Sequence, residues 1–201
     1  MIFIVMTTQI NRARGRPRLF DTEKALVVAQ QLFWKRGYDA VSVSDITNAL
    51  GITPPSFYSA FGSKTALFTQ VLQQYSNTDG LPLGRLLRHD RPLTDCLGDL
   101  LDSAAHLYAR QDGVGCLALE GLNSNEPEIR KLAQSNCVMA EAKVREYIAD
   151  WNPDKADAIT DFLGTTLSGL STKARNGYDL SRLLACARLA KSAINEELRN
   201  T

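Results

Sequence analysis

Two histidines, His89 and His106, are all that this chain of 201 residues offers as bases titrating near neutral pH. The first falls in a stretch that reads as loop and the second in an apolar helical run. No Ser/His/Asp order, glycine-rich phosphate loop or paired-carboxylate motif accompanies them, so an enzyme is not expected. The four cysteines, Cys96, Cys116, Cys137 and Cys186, include no CxxC and no His/Cys cluster at ligand spacing, so neither a structural metal nor a cofactor is expected. No apolar run is long enough to cross a bilayer. The apolar start MIFIV is too short for a signal and lacks a basic flank, which leaves Met1 and Met6 both open as the start of translation. The expected location is cytoplasmic, where structural disulfides are not expected either. Strand signals are sparse, and there is neither an internal repeat nor a low-complexity tract.

Net charge is nearly absent too, at +1, but it is unevenly placed. Residues 1–74 carry eight Lys/Arg against four Asp/Glu, a net of +4, and residues 75–201 carry fifteen against eighteen, a net of −3. The amino end is thus the part suited to an anionic partner. Within it, NRARGRPRLF sets Arg12, Arg14, Arg16 and Arg18 on alternate positions around Gly15 and Pro17. Glycine and proline oppose a helix there, so the segment reads as a flexible basic arm of the kind that binds phosphates or enters a narrow minor groove. A solvated tail fits the same residues; the helices next along the chain favour nucleic acid.

Residues 42–61, SVSDITNALGITPPSFYSAF, read as two short helices around a glycine turn. Ser42 and Asp45 have the spacing of a capping box, and Val43, Ile46 and Leu50 recur at helical intervals before Gly51. Thr53 is a good cap for the second helix, and Pro54 at its first position gives up an amide hydrogen that had no partner. Phe57 and Phe61, four apart, face inward; Pro55 and Ser59 face outward, flanked by Ser56 and Tyr58. A small, uncharged outer face on a braced helix suits a major groove. Further on, Ser63 caps another helix, and Lys64 in its first turn opposes the helix dipole, a placement that a bound phosphate would explain.

The run from Gly15 to Phe68, with AxxLFWxxGYDAVSVxDI, the turn GIT, then SFYSAF and SKTALF, strongly resembles the TetR family of transcriptional regulators. The resemblance implies an all-α chain with a three-helix helix-turn-helix domain followed by a helical domain for effector binding and dimerisation. It implies DNA contacts from Arg14, Arg16, Arg18 and Ser42 to backbone or minor groove. It further implies a reading helix presenting Thr53, Pro54, Pro55, Ser56, Tyr58 and Ser59, with Lys64 on a phosphate. Two departures stand out. Pro54-Pro55 replaces the usual charged or small residues, and Thr65 stands where an acidic residue is common. Prolines have no amide donors and touch only apolar edges such as a thymine methyl. Specificity is therefore expected to lean on DNA shape, the arm and dimer spacing as well as on base contacts.

Three divisions are expected: a basic arm over 1–19, the helix-turn-helix domain over 20–75 and the helical domain over 76–201. After a connector rich in Gly and Pro, periodicity predicts helices from Pro92 to about Gln111, roughly Cys116 to Leu122, Glu126 to Asp150, Asn152 through Arg175, and Leu180 to Arg199. In the third of these Ile129, Leu132, Val138 and Val144 are expected to face inward. The resemblance implies a homodimer through a shared four-helix bundle, for which Phe162, Leu163, Leu167, Leu170, Leu183, Leu184 and Ala187 are the candidates; the same periodicity fits a monomer's own core. It also implies a cavity for an unknown small-molecule effector, with His106, Tyr108, Cys116, Tyr147, Trp151 and Phe162 as candidate lining. Cys116, in DGVGCLALEG, resembles a Gly-Cys element of family members that sense electrophiles, oxidants or copper; a buried core thiol is the alternative. The function expected is a one-component regulator, a repressor by the family's habit, acting as a homodimer on a palindromic double-stranded DNA operator and released by its effector. The other reading is a helical adaptor that binds protein instead of nucleic acid.

Overall fold

The computed structural model describes residues 21–110 and 114–199, and among them all regular structure is helical. The first four helices form a compact unit whose ends are set by local chemistry. Helix α1 (Thr22–Arg36) is capped by Asp21, which accepts from Lys24 N at 3.2 Å, and buries Ala25, Ala29, Phe33 and Trp34 on one stripe. Helix α2 (Val43–Leu50) and helix α3 (Pro54–Phe61) are the expected short pair. Helix α4 (Lys64–Thr78) starts at its cap Ser63, whose Oγ accepts from Ala66 N at 3.0 Å. Phe33, Phe68 and Tyr38 meet at ring separations of 5.1–5.7 Å, two of the three contacts edge-on. Ile46, Phe57, Leu67 and Leu72 complete the fully buried interior. Burying each such side chain contributes roughly 1.5–3 kcal/mol, far more than the propensity of helices this short.

The second part comprises α5 (Leu83–Leu86), α6 (Leu93–Tyr108), α7 (Leu117–Gly121), α8 (Pro127–Ala149), α9 (Ala156–Arg175) and α10 (Leu180–Arg199). Helix α6 packs along α10, and α8 along α9. Leu97, Leu100 and Leu101 of α6 meet Ile148, Ile159, Leu163 and Ala187 in one apolar cluster. A second cluster joins the first four helices to Ala104, Tyr108, Leu117, Ile129, Leu170 and Leu183. The apolar interior therefore runs on past the expected boundary at residue 75, and α4 itself continues to Thr78.

Some expectations shift. Val138 is not inward: it lies on the outer side of α8 beside Met139, both more than half exposed. Ahead of α9 the chain makes a short 3-10 turn, Pro153–Lys155, which Asn152 caps by accepting from Lys155 N at 3.2 Å. Arg14, Arg16 and Arg18 lie outside the described residues, as do Met1 and Met6.

The two parts are stitched by polar contacts from the α1 end. Trp34 Nε1 donates to Gly115 O at 2.9 Å, and Arg175 Nη2 donates to Trp34 O at 2.8 Å. Arg175 Nε also lies 3.0 Å from Glu120 Oε2, an ion pair whose N–H is not aligned for a hydrogen bond. In the loop after α1, Asp39 accepts from Ser124 Oγ at 2.7 Å and Asn125 N at 2.6 Å. The Asn125 amide, followed by the Ser124 hydroxyl, holds the Asp39 carboxyl below its usual range.

Candidate nucleic-acid interface

The reading pair is rigid because its turns are closed by backbone and side-chain bonds. Ser42 Oγ accepts from Asp45 N at 3.1 Å while Asp45 Oδ2 accepts from Ser42 N at 2.8 Å, which completes the capping box. At the far end Gly51 has φ 63° and ψ 34°, and Ile52 N donates to Thr47 O at 3.0 Å across the glycine. That left-handed closure fixes where α3 begins. Thr53 Oγ1 accepts from Ser56 N and lies 3.0 Å from Ser56 Oγ. Phe57 and Phe61 point into the core, their rings 5.5 Å apart.

Thr53, Pro54, Pro55, Ser56, Tyr58 and Ser59 all remain exposed on the opposite side. Thr53 and Ser56 spend hydrogen-bonding capacity on the cap, so Tyr58 and Ser59 present the least committed polar groups of the six. Tyr58 stands edge-on against Phe57, which limits its swing. Ser42 is exposed one helix away, its hydroxyl engaged with Asp45. Lys64, at the start of α4, sits with Nζ 3.8 Å over the Tyr38 ring. Burial pulls its pKa down, opposed by the charges of Asp39, Glu126 and Asp45. Thr65 bonds the hydroxyl of the same tyrosine at 3.0 Å, which gives this departure a structural role.

Hydrogen bonds from the Ser42 hydroxyl and amide, then from Arg36, hold the Asp45 carboxyl at about 2 against an ordinary 3.8. A depressed folded-state value stabilises the fold above the ordinary pKa and loses that stabilisation as pH falls towards the folded one. The melting temperature of the unmodified chain is accordingly expected to fall more steeply between pH 4 and pH 2 than that of Asp45→Asn. Parallel curves for the two proteins would dismiss this role.

The family profile described as "Bacterial regulatory proteins, tetR family" matches residues 25–71, from within α1 to within α4. The chain is 44% identical over 191 residues to the HTH-type transcriptional repressor BdcR of Escherichia coli K12, spanning 94% of this chain and 97% of that one. The chain belongs to the TetR family. ComR of the same organism, also an HTH-type transcriptional repressor, is 28% identical over 90% of this chain and 92% of its own length. Among solved structures, the TetR-family regulator CifR, a cysteine mutant complexed with 26-bp double-strand operator DNA, superposes with a TM-score of 0.80 at 30% identity. It covers 89% of this chain and 99% of that one. The chain is thus a helix-turn-helix member of a family of DNA-binding transcription regulators, not of an enzyme family.

This TetR-family chain has a second candidate site, a cavity of about 900 Å³ bordered by α4, α5, α6, α7, α8 and α9. Of the six expected lining residues it contains Tyr108 and Cys116 and not the other four. His106 is exposed, its Nδ1 2.8 Å from Asp102 O, and lies at a smaller surface hollow near Tyr178. Tyr147 donates to Arg88 O at 2.8 Å, Trp151 stacks on His89 at the surface, and Phe162 faces outward. Sequence reasoning missed Tyr75, Cys137 and Thr160, which also border the cavity. Tyr75 looked like the last residue of the other domain, and the other two carry no local signal. Cys116 caps the five-residue α7, its amide accepted by Ser171 Oγ at 2.9 Å. The neighbouring Cys137 thiol is pushed up to about 12, by burial first and then by Cys116 and Glu141, so it is neutral at physiological pH.

The expected dimer residues divide. Leu163, Leu170, Leu183 and Ala187 are buried in the chain's own core, and Leu167 and Leu184 are half-buried. Phe162 on α9, together with Leu189 on α10, is exposed. Among the described residues no helix is long and apolar enough to cross a membrane, and no three His, Cys, Asp or Glu side chains are grouped as metal ligands.

Proposed function

We propose that this chain is a one-component repressor that binds a palindromic operator as a homodimer and lets go when a small molecule fills the cavity. The observation that carries the reading is the outward face of α3 and its cap Thr53, where six uncharged residues are exposed on an element anchored from behind by Phe57 and Phe61. The relatives support it: BdcR and ComR are named as repressors, and CifR has been solved on operator DNA. Tyr58 and Ser59 read base edges, Pro54 and Pro55 make apolar contacts, and Ser42, Lys64 and the arginines 14, 16 and 18 hold phosphates. Phe162 and Leu189 are proposed at the dimer seam, with Leu167 and Leu184 at its edge, because large apolar side chains on two neighbouring helices are left uncovered by the chain itself. Two heads then read half-sites about one helical turn apart.

Selecting genomic DNA fragments with the purified protein at near-physiological salt, followed by sequencing, tests this. Recovery of a short palindrome is expected, with affinity falling steeply as salt rises because phosphates are being neutralised. Pro55→Ala is expected to weaken some operator variants more than others. Equal weakening of all variants would mean that Pro55 does not read a base. Sequence-blind retention, or none, would favour the protein-binding adaptor.

A further inference from the structure

The cavity holds polar groups whose internal partners are poor. Tyr75 donates its hydroxyl to Cys116 Sγ at 3.5 Å, and Tyr108, 2% exposed, borders the same cavity. A thiol is a weak acceptor, so any carbonyl or hydroxyl oxygen would serve the Tyr75 phenol better. Thr160, 7% exposed, also borders the cavity, and its Oγ1 has no hydrogen-bond partner. Two other threonines on α9 behave differently: Thr166 and Thr172 donate to the carbonyls four residues back, at 2.8 and 3.0 Å. A buried hydroxyl left unpaired this way is one hydrogen bond short, and leaving it so costs free energy. The other buried residues on the wall are apolar, with Leu100 and Leu163 almost fully enclosed. The charged residues that border the cavity, Arg85, Glu141 and Lys143, are all exposed.

We propose that this cavity takes a neutral, mainly apolar small molecule bearing a carbonyl or hydroxyl oxygen, which replaces the Cys116 sulfur as acceptor for Tyr75 and pairs with Thr160. A carboxylate or ammonium group seated beside Leu100 and Leu163 would give up its hydration there, whereas Arg85, Glu141 and Lys143 belong to exposed residues of the border, so a neutral group is favoured. Burial raises the pKa of the Tyr75 and Tyr108 phenols well above the ordinary value, so they remain donors at every physiological pH. The site also has a route outward. Cys116 follows Gly115, whose carbonyl holds the Trp34 indole at the end of α1. A ligand that displaces Cys116 moves the anchor of the reading head. The inference rests on the proposed reading of this cavity as the effector site.

The test uses the full-length protein with Trp151→Phe, which leaves Trp34 as the one indole of two. Octan-2-one, octan-1-ol, octanoate and octylammonium are titrated while Trp34 emission and melting temperature are followed. The ketone and the alcohol are expected to bind and shift the emission, and both ions to bind at least about tenfold more weakly. Tyr75→Phe and Thr160→Val are each expected to weaken the neutral probes about two- to tenfold, the loss of one hydrogen bond. Octanoate binding as tightly as octan-2-one overturns the proposal. So does failure of both neutral probes to bind at millimolar concentration, or their unchanged affinity for both variants. If one variant does not fold, the comparison of the four probes on the parent still decides. Operator binding is measured separately: a neutral probe that binds without releasing DNA leaves this inference standing and removes the effector reading.

Discussion

Phe57→Ala is expected to abolish operator binding at physiological temperature, even though Phe57 faces away from the proposed DNA surface. Its side chain is fully buried, with the rings of Phe61 and Tyr58 centred 5.5 and 5.3 Å away. Truncating a buried phenylalanine costs about 3–5 kcal/mol, a large share of the stability of a typical domain. Helix α3 has eight residues, too few to stay helical without its apolar anchors. The first four helices should therefore loosen before the rest, seen as a lower first transition in a thermal scan and as loss of operator retention. Tyr58→Ala is the comparison. Tyr58 is 52% exposed, so its removal should leave stability within about 0.5 kcal/mol while weakening DNA binding. An unchanged melting profile for Phe57→Ala with full operator affinity would refute this account of the head.

Gly115→Ala is expected to be the most damaging single-methyl change in the second part. Gly115 has φ +67°, a conformation that side chains rarely adopt, and an added Cβ would lie 2.6 Å from Ser171 Oγ and 2.9 Å from the Ser171 carbonyl oxygen. A backbone oxygen cannot swing aside as a lysine tip does, so the segment itself must move. That movement breaks the bond from Trp34 to Gly115 O and the one from Cys116 N to Ser171 Oγ. Backbone strain and two lost bonds together amount to roughly 2–5 kcal/mol. Gly177→Ala separates the contributions: Gly177 has φ +82° but nothing within 4 Å of the added carbon, so it carries the conformational penalty without the collision. Urea unfolding should place Gly115→Ala well below Gly177→Ala, with a shifted Trp34 emission in the former alone. Equal stabilities for the two would mean that the collision is relieved without moving the chain.

The helix-turn-helix was legible because its determinants are local. Ser42 with Asp45, Gly51, and Thr53 with Pro54 act within one turn of themselves, and each is found capping or closing where its spacing placed it. The span of α6, expected from Pro92 to about Gln111 and found from Leu93 to Tyr108, followed from periodicity for the same reason. What periodicity left open depends on how helices are arranged around one another. Phe162 and Leu163 are adjacent and both apolar, yet one faces out and the other lies in the core, because the direction of α9 towards α6 and α8 decides it. Val138 was misjudged on α8 in the same way. The cavity was the least legible feature, since Tyr75, Cys116 and Thr160 come from three separate stretches of the chain. Asp39, whose partners lie 85 and 86 residues away, left no trace in its own neighbourhood.

The stitching of the first four helices has a bearing on interchangeability. Transcription regulators with separate reading and sensing parts invite the exchange of one head for another. Here the head is not a detachable module. Trp34 needs the Gly115 carbonyl and the Arg175 guanidinium, Asp39 needs Ser124 and Asn125, and Gln30 reaches Asp79 just past the end of α4. A graft of residues 21–78 onto a related body would strand each of these groups unless the body carried the matching acceptors and donors. The unit of exchange in this chain is the head plus three distant docking points, and a relative lacking them is an incompatible recipient however similar its own helix-turn-helix.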